Sequence, residues 1–350
     1  MPTALLTGDI NLMNVVDPDV PFRKIAPILA AADIRISNLE CSLHTPEHGH
    51  TIEHEGFFAD PEISAAALKK AGIDAVGIAN NVNYGEANIL GSMENLKRHG
   101  IPFAGAGRNR HEARKPVIIE REGVRYGFLQ RSSVYWATDH EAGETGVGIA
   151  VIRGHTAYHV PMYREGSRTP PFNRPGIPPL IKTWADEEYL EMFRSDIAEL
   201  REQADIVIAS CHWGLGPQVL NYMKETARSA IDAGADIVMG HGPHQPLPMG
   251  FYRGKPIFYG LGSFSFHTGH LGIKHGDWIG VYAELTGECS GELDARFGFV
   301  RHNELNETVP CSAKDEKKVF ENLAKQSLKQ GALLEVDGDL VRMVPAQENK

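Results

Sequence analysis

Five short apolar runs in the sequence are each followed at once by polar residues. Short runs of this kind, bounded by turn residues, are typical of buried β-strands. In open α/β sheets, ligands bind beyond the carboxyl ends of the strands. We therefore expect a single site built from the motifs that follow the runs: Gly8-Asp9, Asn38-Leu39-Glu40, Asn80-Asn81, Cys211-His212-Trp213-Gly214 and Gly240-His241-Gly242-Pro243-His244.

The side chains of these motifs are carboxylates, amides and imidazoles. Together they form a hard-to-borderline set of ligands, which suits Mn, Zn, Fe, Mg or Ca. The sequence therefore predicts a divalent metal site, and a catalytic one.

Each motif also has a simpler interpretation when it is taken alone. Asp9 could cap a helix or lie in a turn, and His212 could be a buried histidine with ordinary hydrogen bonds. His241 and His244 are harder to explain in this way, because they flank a Gly-Pro turn directly after a strand. Both rings can then point towards one centre, as metal-binding histidines do.

The bulk composition is that of an ordinary soluble protein. Of its 350 residues, 42% are hydrophobic, and the net charge of -10 gives no support to nucleic-acid or anionic-membrane binding. The N-terminal apolar stretch is too short for a signal peptide. We expect a cytoplasmic protein that acts on a small-molecule or peptide substrate. The sequence does not predict its oligomeric state.

The order of predicted elements indicates a layered α/β fold. Helices are expected at 61–71, 86–99, 186–203, 221–233 and 314–329, and strands at 3–7, 34–37, 74–79, 101–104, 205–210, 236–239, 255–259, 279–285 and 294–301, with a hairpin over 116–129. We expect a main domain at 1–305, interrupted by an irregular Gly- and Pro-rich insert at about 138–180, and a small C-terminal addition of helix and strands at 306–350.

The ordered motifs resemble the CapA-type (poly-γ-glutamate capsule biosynthesis) family of the calcineurin-like metallophosphoesterase superfamily. The resemblance covers roughly residues 3 to 270. The matching stretches include Leu-Thr-Gly-Asp-Ile-Asn-Leu (6–12), Ser-Asn-Leu-Glu (37–40), Ala-Asn-Asn (79–81), Cys-His-Trp-Gly (211–214), Ala-Gly-Ala-Asp-Ile-Val-Met-Gly-His-Gly-Pro-His (233–244) and Lys-Pro-Ile-Phe-Tyr-Gly-Leu-Gly-Ser-Phe (255–264).

The resemblance implies a four-layer α/β/β/α sandwich, the calcineurin-like metallophosphoesterase fold. It also implies a metal centre for one or two ions, with Glu40 bridging them if two bind. Asn80 is the alternative to Asn81 as the amide ligand. The positions that match the family's metal site are Asp9, Glu40, Asn81, His212, His241 and His244.

Two positions depart from the pattern of these relatives. The superfamily usually follows its ligand Asn with a His that acts as general acid or electrostatic partner, and Val82 stands there. The family commonly has a second His where this chain has Gly242. These departures weaken the case for a two-metal phosphoesterase mechanism and leave a one-metal site as an alternative.

Three functions follow from the resemblance. The first is hydrolysis of a phosphoester or of a peptide or γ-glutamyl amide by metal-activated water. The second is a metal-dependent peptide epimerase that uses Asp/His pairs at Cα, since a peptide epimerase of lasso-peptide biosynthesis is similar to this family. The third is a non-enzymatic accessory role in polymer biosynthesis. The catalytic candidates are Asp9, His212, His241 and His244.

Several further residues are candidates for substrate contact. His44 and His267 are candidates for protonating a leaving group by sequence position only, and the preferred interpretation of both is a loop histidine without a role. An anionic substrate could meet the basic residues of the insert: Arg153, His155, Arg164 and Arg168. The substrate-binding candidates are Asn80, Arg131, Trp136 and His44.

Overall fold

The computed structural model describes residues 3–46, 57–160, 176, 178–266, 278–287 and 293–346. In this part of the chain it is a mixed α/β protein with two large sheets and seven helices. None of the helices in the described ranges is both long and apolar enough to cross a membrane.

The helices are α1 (Ala26–Ala31), α2 (Pro61–Lys70), α3 (Glu86–Arg98), α4 (Arg110–Arg114), α5 (Glu187–Arg201), α6 (Asn221–Asp232) and α7 (Lys317–Leu328). The strands are β1 (Thr3–Asn11), β2 (Ile34–Leu39), β3 (Ala75–Gly77), β4 (Phe103–Ala104), β5 (Ala106–Gly107), β6 (Val117–Arg121), β7 (Val124–Ser132), β8 (Gly148–Ile149), β9 (Gly154–His159), β10 (Leu180–Ala185), β11 (Ile206–His212), β12 (Ile237–His241), β13 (Pro246–Tyr252), β14 (Lys255–Leu261), β15 (Ser263–Phe266), β16 (Ile279–Thr286), β17 (Asp294–His302), β18 (Thr308–Cys311), β19 (Ala332–Asp337) and β20 (Leu340–Pro345).

The first large sheet has the strand order β19-β20-β17-β16-β1-β2-β3-β4, with β15 pairing beside β1 and β18 beside β17. Strands β1 to β4 and β15 run parallel, and the remaining pairs are antiparallel. The second sheet has the order β13-β14-β12-β11-β7-β6, with a parallel centre and antiparallel edges. Each sheet therefore has a group of parallel strands whose carboxyl ends lie together.

Three hydrophobic clusters hold the sheets and helices together. Leu6 of β1 and Ile208 of β11 belong to one cluster, which contains inner-face residues of both sheets. The neighbouring residues Leu5 and Val207 point the opposite way, as side chains alternate along a strand. Leu5 packs in a cluster with residues of α1, α2 and α3, and Val207 packs in one with residues of α5 and α6.

The helix boundaries follow the signals seen in the sequence. The Asp60 side chain accepts a hydrogen bond of 2.9 Å from the backbone N–H of Ile63, which caps α2 at its N-terminus. Gly72 and Gly100 follow α2 and α3 with φ values of +69° and +65°, the left-handed conformation that commonly ends a helix. The predicted helices at 61–71 and 86–99 are confirmed to within one residue.

The insert at 138–180 is more regular than its composition indicated. It contains β8, β9 and the start of β10, and β9 and β10 pair as an antiparallel ribbon. The irregular insert stays a prediction for the segment as a whole, because residues 161–175 and 177 lie outside the described part of the chain. Arg164, Arg168 and His267 lie outside the described residues.

The C-terminal segment continues the first sheet. Strands β18 and β20 both pair with β17, and β19 pairs with β20. Helix α7 contributes Leu323 to the cluster between the sheets. The domain boundary near 305 stays a prediction.

Candidate metal centre

Strand alternation sets which side chains of β11 enter the site. Ile208 faces the other sheet while Val207 faces the helices, so every second residue continues the inner row. Ser210 and His212 are the next two members of that row, and both are buried. The same rule brings His241 inward at the end of β12, after the inner residue Met239.

Asp9 reaches the inner side because β1 contains an irregularity. Leu6 faces inward, so a regular strand would turn Asp9 outward. The pairing of β1 with β2 shifts register between Thr7 and Asp9. Such bulges re-aim side chains next to functional sites, and here Asp9 becomes a buried carboxylate between the two sheets.

Gly8 allows the backbone of β1 to make this change. The backbone N–H of Asp9 donates a hydrogen bond of 2.9 Å to the carbonyl of Gly262. A Cβ atom at Gly8 would lie 1.8 Å from that same carbonyl oxygen. The approach of the two chain segments therefore requires glycine at position 8.

Two carboxylates and one exposed imidazole form the first part of the centre. His244 Nδ1 lies 3.1 Å from Asp9 Oδ2, and His244 Nε2 lies 3.5 Å from Glu40 Oε1. Asp9 and Glu40 are buried, whereas the His244 side chain is 27% exposed. One ligand atom from each of the three residues lies within 4.8 Å of the others.

Two buried imidazoles form the second part. His212 Nδ1 lies 3.0 Å from His241 Nδ1, and the latter lies 3.7 Å from Asp9 Oδ1. Asp9, His212 and His241 again offer one ligand atom each within 4.8 Å. The two groups of three share Asp9, so the cluster could hold one ion or two.

Asn81, rather than Asn80, contacts the imidazoles. Asn81 Oδ1 lies 2.8 Å from His212 Nε2. The Asn80 amide instead donates a hydrogen bond of 2.9 Å to the carbonyl of Leu39 and accepts one of 3.3 Å from the Asn83 backbone. Asn80 therefore holds the loop together, and Asn81 is the amide placed for ligation.

The donor set fits a cation. Glu40 Oε2 is buried and finds no hydrogen-bond donor among the described residues. A buried carboxylate oxygen without a donor is costly, and a metal ion would remove that cost. Burial raises the pKa of Glu40 well above its usual range, and the neighbouring Asp9 raises it further. Without an ion, Glu40 therefore tends to hold a proton.

Three further ionisable groups of the cluster are held in the charge states that metal binding requires: Asp9, His212 and His241. Burial alone would raise the pKa of Asp9, but the hydrogen bond with His244 and the nearby His241 and His212 hold it well below its usual range. Burial lowers the pKa of His241 to about 4. Burial also lowers the pKa of His212, and His241 beside it lowers it further. Both imidazoles are thus neutral at pH 7, as ligation requires.

Three polar residues that the sequence analysis did not name as ligands or substrate contacts support the cluster. Asn38 Nδ2 donates a hydrogen bond of 2.8 Å to Asp9 Oδ1. Gln130 Nε2 donates one of 2.9 Å to Asn38 Oδ1 and lies 3.1 Å from His241 Nε2. Ser210 Oγ lies 2.8 Å from the same nitrogen. Strand alternation could have identified them, because each continues the inner row of its strand.

The structure does not bring all the predicted substrate residues to the cluster. The Arg131 guanidinium is buried and pairs with Asp196 of α5. The His44 ring lies so close to α3 that a Cβ atom at Gly91 would be 2.2 Å from its Nδ1. Trp136 does lie at the rim, where its Nε1 donates a hydrogen bond of 2.9 Å to the Asn81 carbonyl and its side chain is 40% exposed.

The structure shows the surroundings of Val82 and Gly242, the two positions that depart from the family pattern. Val82 is buried in the hydrophobic cluster beneath the first sheet, so its side chain does not face the carboxylates. Gly242 has a φ of +117°, and a Cβ atom there would lie 2.9 Å from the carbonyl of Trp213 and 3.3 Å from the His212 ring. A histidine at position 242 would therefore displace this turn.

The described geometry agrees with the comparisons to known proteins. Residues 3–268 match the family model described as bacterial capsule synthesis protein PGA_cap. The PGA biosynthesis protein CapA of Bacillus subtilis is 25% identical over 93% of this chain and 78% of its own length. The capsule biosynthesis protein CapA of Bacillus anthracis is 25% identical over 95% and 74%. A probable polyglutamine synthesis accessory protein of Mycobacterium tuberculosis is 27% identical over 75% and 64%.

Proposed function

Because the chain belongs to the bacterial capsule synthesis protein family, we propose that it is a metal-dependent hydrolase acting on a phosphoester or on a peptide or γ-glutamyl amide. The observation that carries this proposal is the pair of ligand groups that share the buried Asp9. Perturbed, buried ionisable groups gathered at strand ends are typical of catalytic sites. The names of the relatives, which refer to PGA biosynthesis, capsule biosynthesis and polyglutamine synthesis, support a role in polymer synthesis.

The proposal includes the four-layer α/β/β/α sandwich. Its support is the arrangement of the three clusters, since one contains residues of both sheets and each of the others joins one sheet to its helices. This layering would place the carboxyl ends of β1, β2, β11 and β12 at one edge.

Asp9, Glu40, Asn81, His212, His241 and His244 would hold the ion or ions. A divalent ion there would supply a Lewis acid that polarises a phosphoryl or acyl oxygen and activates water. Asn38 and Gln130 keep the ligands of the two sheets in register through the hydrogen bonds from Gln130 to Asn38 and from Asn38 to Asp9.

His244 is the imidazole best placed to move a proton at the leaving group. His212 and His241 are buried, but 27% of the His244 side chain is exposed. Its two nitrogens face the carboxylates of Asp9 and Glu40, which orient the ring. In a one-metal site that leaves His244 without an ion, His244 would thus replace the acid that the family pattern places at Val82.

One observation ranks hydrolysis above epimerisation. Epimerisation at Cα needs one acid-base pair on each side of the substrate carbon. In this structure the Asp9 and Glu40 carboxylates both face the partly exposed His244. The other imidazoles beside them are buried: His241 lies 3.7 Å from Asp9, and His212 lies 3.9 Å from Glu40. The cluster therefore offers a single exposed proton-transfer group.

The test begins with the full chain after treatment with a chelator. Mn²⁺, Zn²⁺, Fe²⁺, Mg²⁺ and Ca²⁺ would be titrated by calorimetry, and 4-nitrophenyl phosphate and γ-glutamyl peptides would be assayed with each bound ion. We expect at least one ion to bind and to restore cleavage. Deuterium uptake at Cα without cleavage would replace hydrolysis by epimerisation. If a metal binds but neither cleavage nor deuterium uptake at Cα is seen, the non-enzymatic accessory role would replace both enzyme functions.

Asp9→Asn and Asp205→Asn form the matched pair of variants. Both replace an aspartate by its amide, but Asp205 pairs with Arg125 in an exposed ion pair outside the cluster. Asp9→Asn should abolish metal binding and cleavage, and Asp205→Asn should retain both. Full activity in Asp9→Asn would disprove the proposed centre.

A further inference from the structure

The two ring nitrogens of His241 have different surroundings. Nδ1 faces the cluster, 3.0 Å from His212 Nδ1 and 3.7 Å from Asp9 Oδ1. Nε2 faces away from it, 2.8 Å from Ser210 Oγ and 3.1 Å from Gln130 Nε2. If His241 ligates an ion, it must therefore do so through Nδ1.

The orientation of the Gln130 amide is fixed by its other contacts. Its Oε1 accepts a hydrogen bond of 2.7 Å from the backbone N–H of Ala79, and its Nε2 donates one of 2.9 Å to Asn38 Oδ1. Gln130 thus presents an N–H group to His241 Nε2. A neutral imidazole carries its proton on one nitrogen, so Gln130 favours the form of His241 with the proton on Nδ1.

This form completes a chain of hydrogen bonds. Nδ1–H of His241 points to Nδ1 of His212, and Nε2–H of His212 can donate to Asn81 Oδ1 at 2.8 Å. The tautomers are assigned here from the hydrogen-bond network. A proton on His241 Nδ1 blocks that nitrogen as a ligand, so metal binding requires the other tautomer.

The other tautomer needs an acceptor for Nε2–H. The Gln130 nitrogen has only donor groups, whereas the Ser210 hydroxyl can donate or accept. Ser210, Gln130 and His241 are all fully buried, so bulk water cannot take the place of the hydroxyl. A buried N–H without an acceptor would oppose the bound form.

We propose that Ser210 is a positioning residue for metal binding: its hydroxyl accepts Nε2–H of His241 when Nδ1 ligates an ion, whereas Gln130 holds the opposite tautomer in the metal-free protein. The inference rests on the metal site of the proposed function. Metal binding is then coupled to the transfer of one proton from Nδ1 to Nε2 and to rotation of the Ser210 hydroxyl.

Calorimetric titration of the metal-stripped full chain with Zn²⁺ and Mn²⁺ tests the role of Ser210. Ser210→Ala should weaken binding about 10- to 100-fold, the usual effect of losing a partner that orients a ligand. The control is Ser327→Ala, because Ser327 is equally buried but accepts its hydrogen bond of 2.9 Å from Met249 N, outside the cluster. Equal affinity in wild type and Ser210→Ala would overturn the inference.

NMR of the ¹⁵N-histidine-labelled protein tests the tautomers directly, with His241 identified by the signal missing from His241→Gln. We expect Nδ1–H in metal-free wild type and metal-free Ser210→Ala, and Nε2–H in wild type with Zn²⁺. Nε2–H in the metal-free wild type would overturn the role of Gln130. If wild type binds no ion at all, the proposed function fails, and the metal-free spectrum still decides the Gln130 assignment.

Discussion

Asn38 Nδ2 donates a hydrogen bond of 2.8 Å to Asp9 Oδ1, between neighbouring strands of the first sheet. This contact leaves Asp9 Oδ2 directed towards His244 Nδ1 at 3.1 Å. The Asn38 amide therefore fixes Oδ2 as the Asp9 oxygen that faces the partly exposed His244 ring. The side-chain Oδ1 of Asn38 also accepts hydrogen bonds from Gln130 and Asn80, so Asn38 joins residues of both sheets.

Asn38→Leu should weaken metal binding about 10- to 100-fold, because the variant has similar volume but cannot orient Asp9. The measurement is calorimetric titration of the metal-stripped protein. Asn88→Leu is the control, since Asn88 is also buried but donates to Ser42 Oγ at 2.7 Å. Equal losses of affinity in the two variants would show a general packing effect rather than orientation of Asp9.

A non-glycine residue in a left-handed backbone conformation costs about 1–2 kcal/mol. Gly242→Ala should lower the free energy of unfolding by more than this amount. The added Cβ would also lie 2.9 Å from the carbonyl of Trp213. Gly254→Ala isolates the backbone effect, because Gly254 has a φ of +75° and a Cβ atom there would meet no other atom within 4 Å. Denaturant unfolding of both variants checks the difference, and equal losses would contradict the steric argument.

The metal-free protein should become less stable as the pH falls from about 6.5 to about 4. Burial lowers the pKa of His241 to about 4, so in this window the unfolded chain binds a proton at His241 that the folded chain does not. One such proton gives a slope of at most about 1.4 kcal/mol per pH unit. His212 acts in the same direction, whereas the raised pKa of Glu40 acts in the opposite one.

Urea unfolding of the chelated protein at several pH values measures this slope. His241→Gln should reduce it, because the variant removes the group that titrates. The control is His99→Gln, which replaces a histidine that lies against Glu62 on the protein surface, outside the cluster. An unchanged slope in His241→Gln would show that other groups cause the loss of stability.

Arg131→Met should lower stability by less than the about 3–5 kcal/mol that is usual when a buried charge loses its only partner, because Asp196 keeps its pair with Arg114. Metal affinity should stay unchanged, because the guanidinium contacts Asp196 and the Gln130 carbonyl rather than the ligands. Arg125→Met is the control, since Arg125 forms an exposed pair with Asp205, and its loss should lower stability less than the loss of Arg131. If Arg131→Met loses substrate binding but keeps the stability of the wild type, the predicted role of Arg131 in substrate binding would be restored.

The sequence predicted that the candidate ligands lie at strand ends, because apolar runs and their polar ends are local features. Asp9, His212 and His241 lie at such ends, and the structure brings them together. The inward direction of Asp9 could not be predicted, since it depends on a register shift against β2. The ion pair between Arg131 and Asp196 could not be predicted either, because Asp196 lies on a helix far along the chain.

The contact between Gly8 and Gly262 has a consequence for how the protein folds. It joins residues 254 positions apart, and Asp9 takes its inward direction where this contact forms. Contacts of such long sequence separation form slowly, because the closure of a long loop must come first. We therefore expect the ion to bind only after β15 has docked beside β1. The metal would then stabilise the finished protein without accelerating its folding.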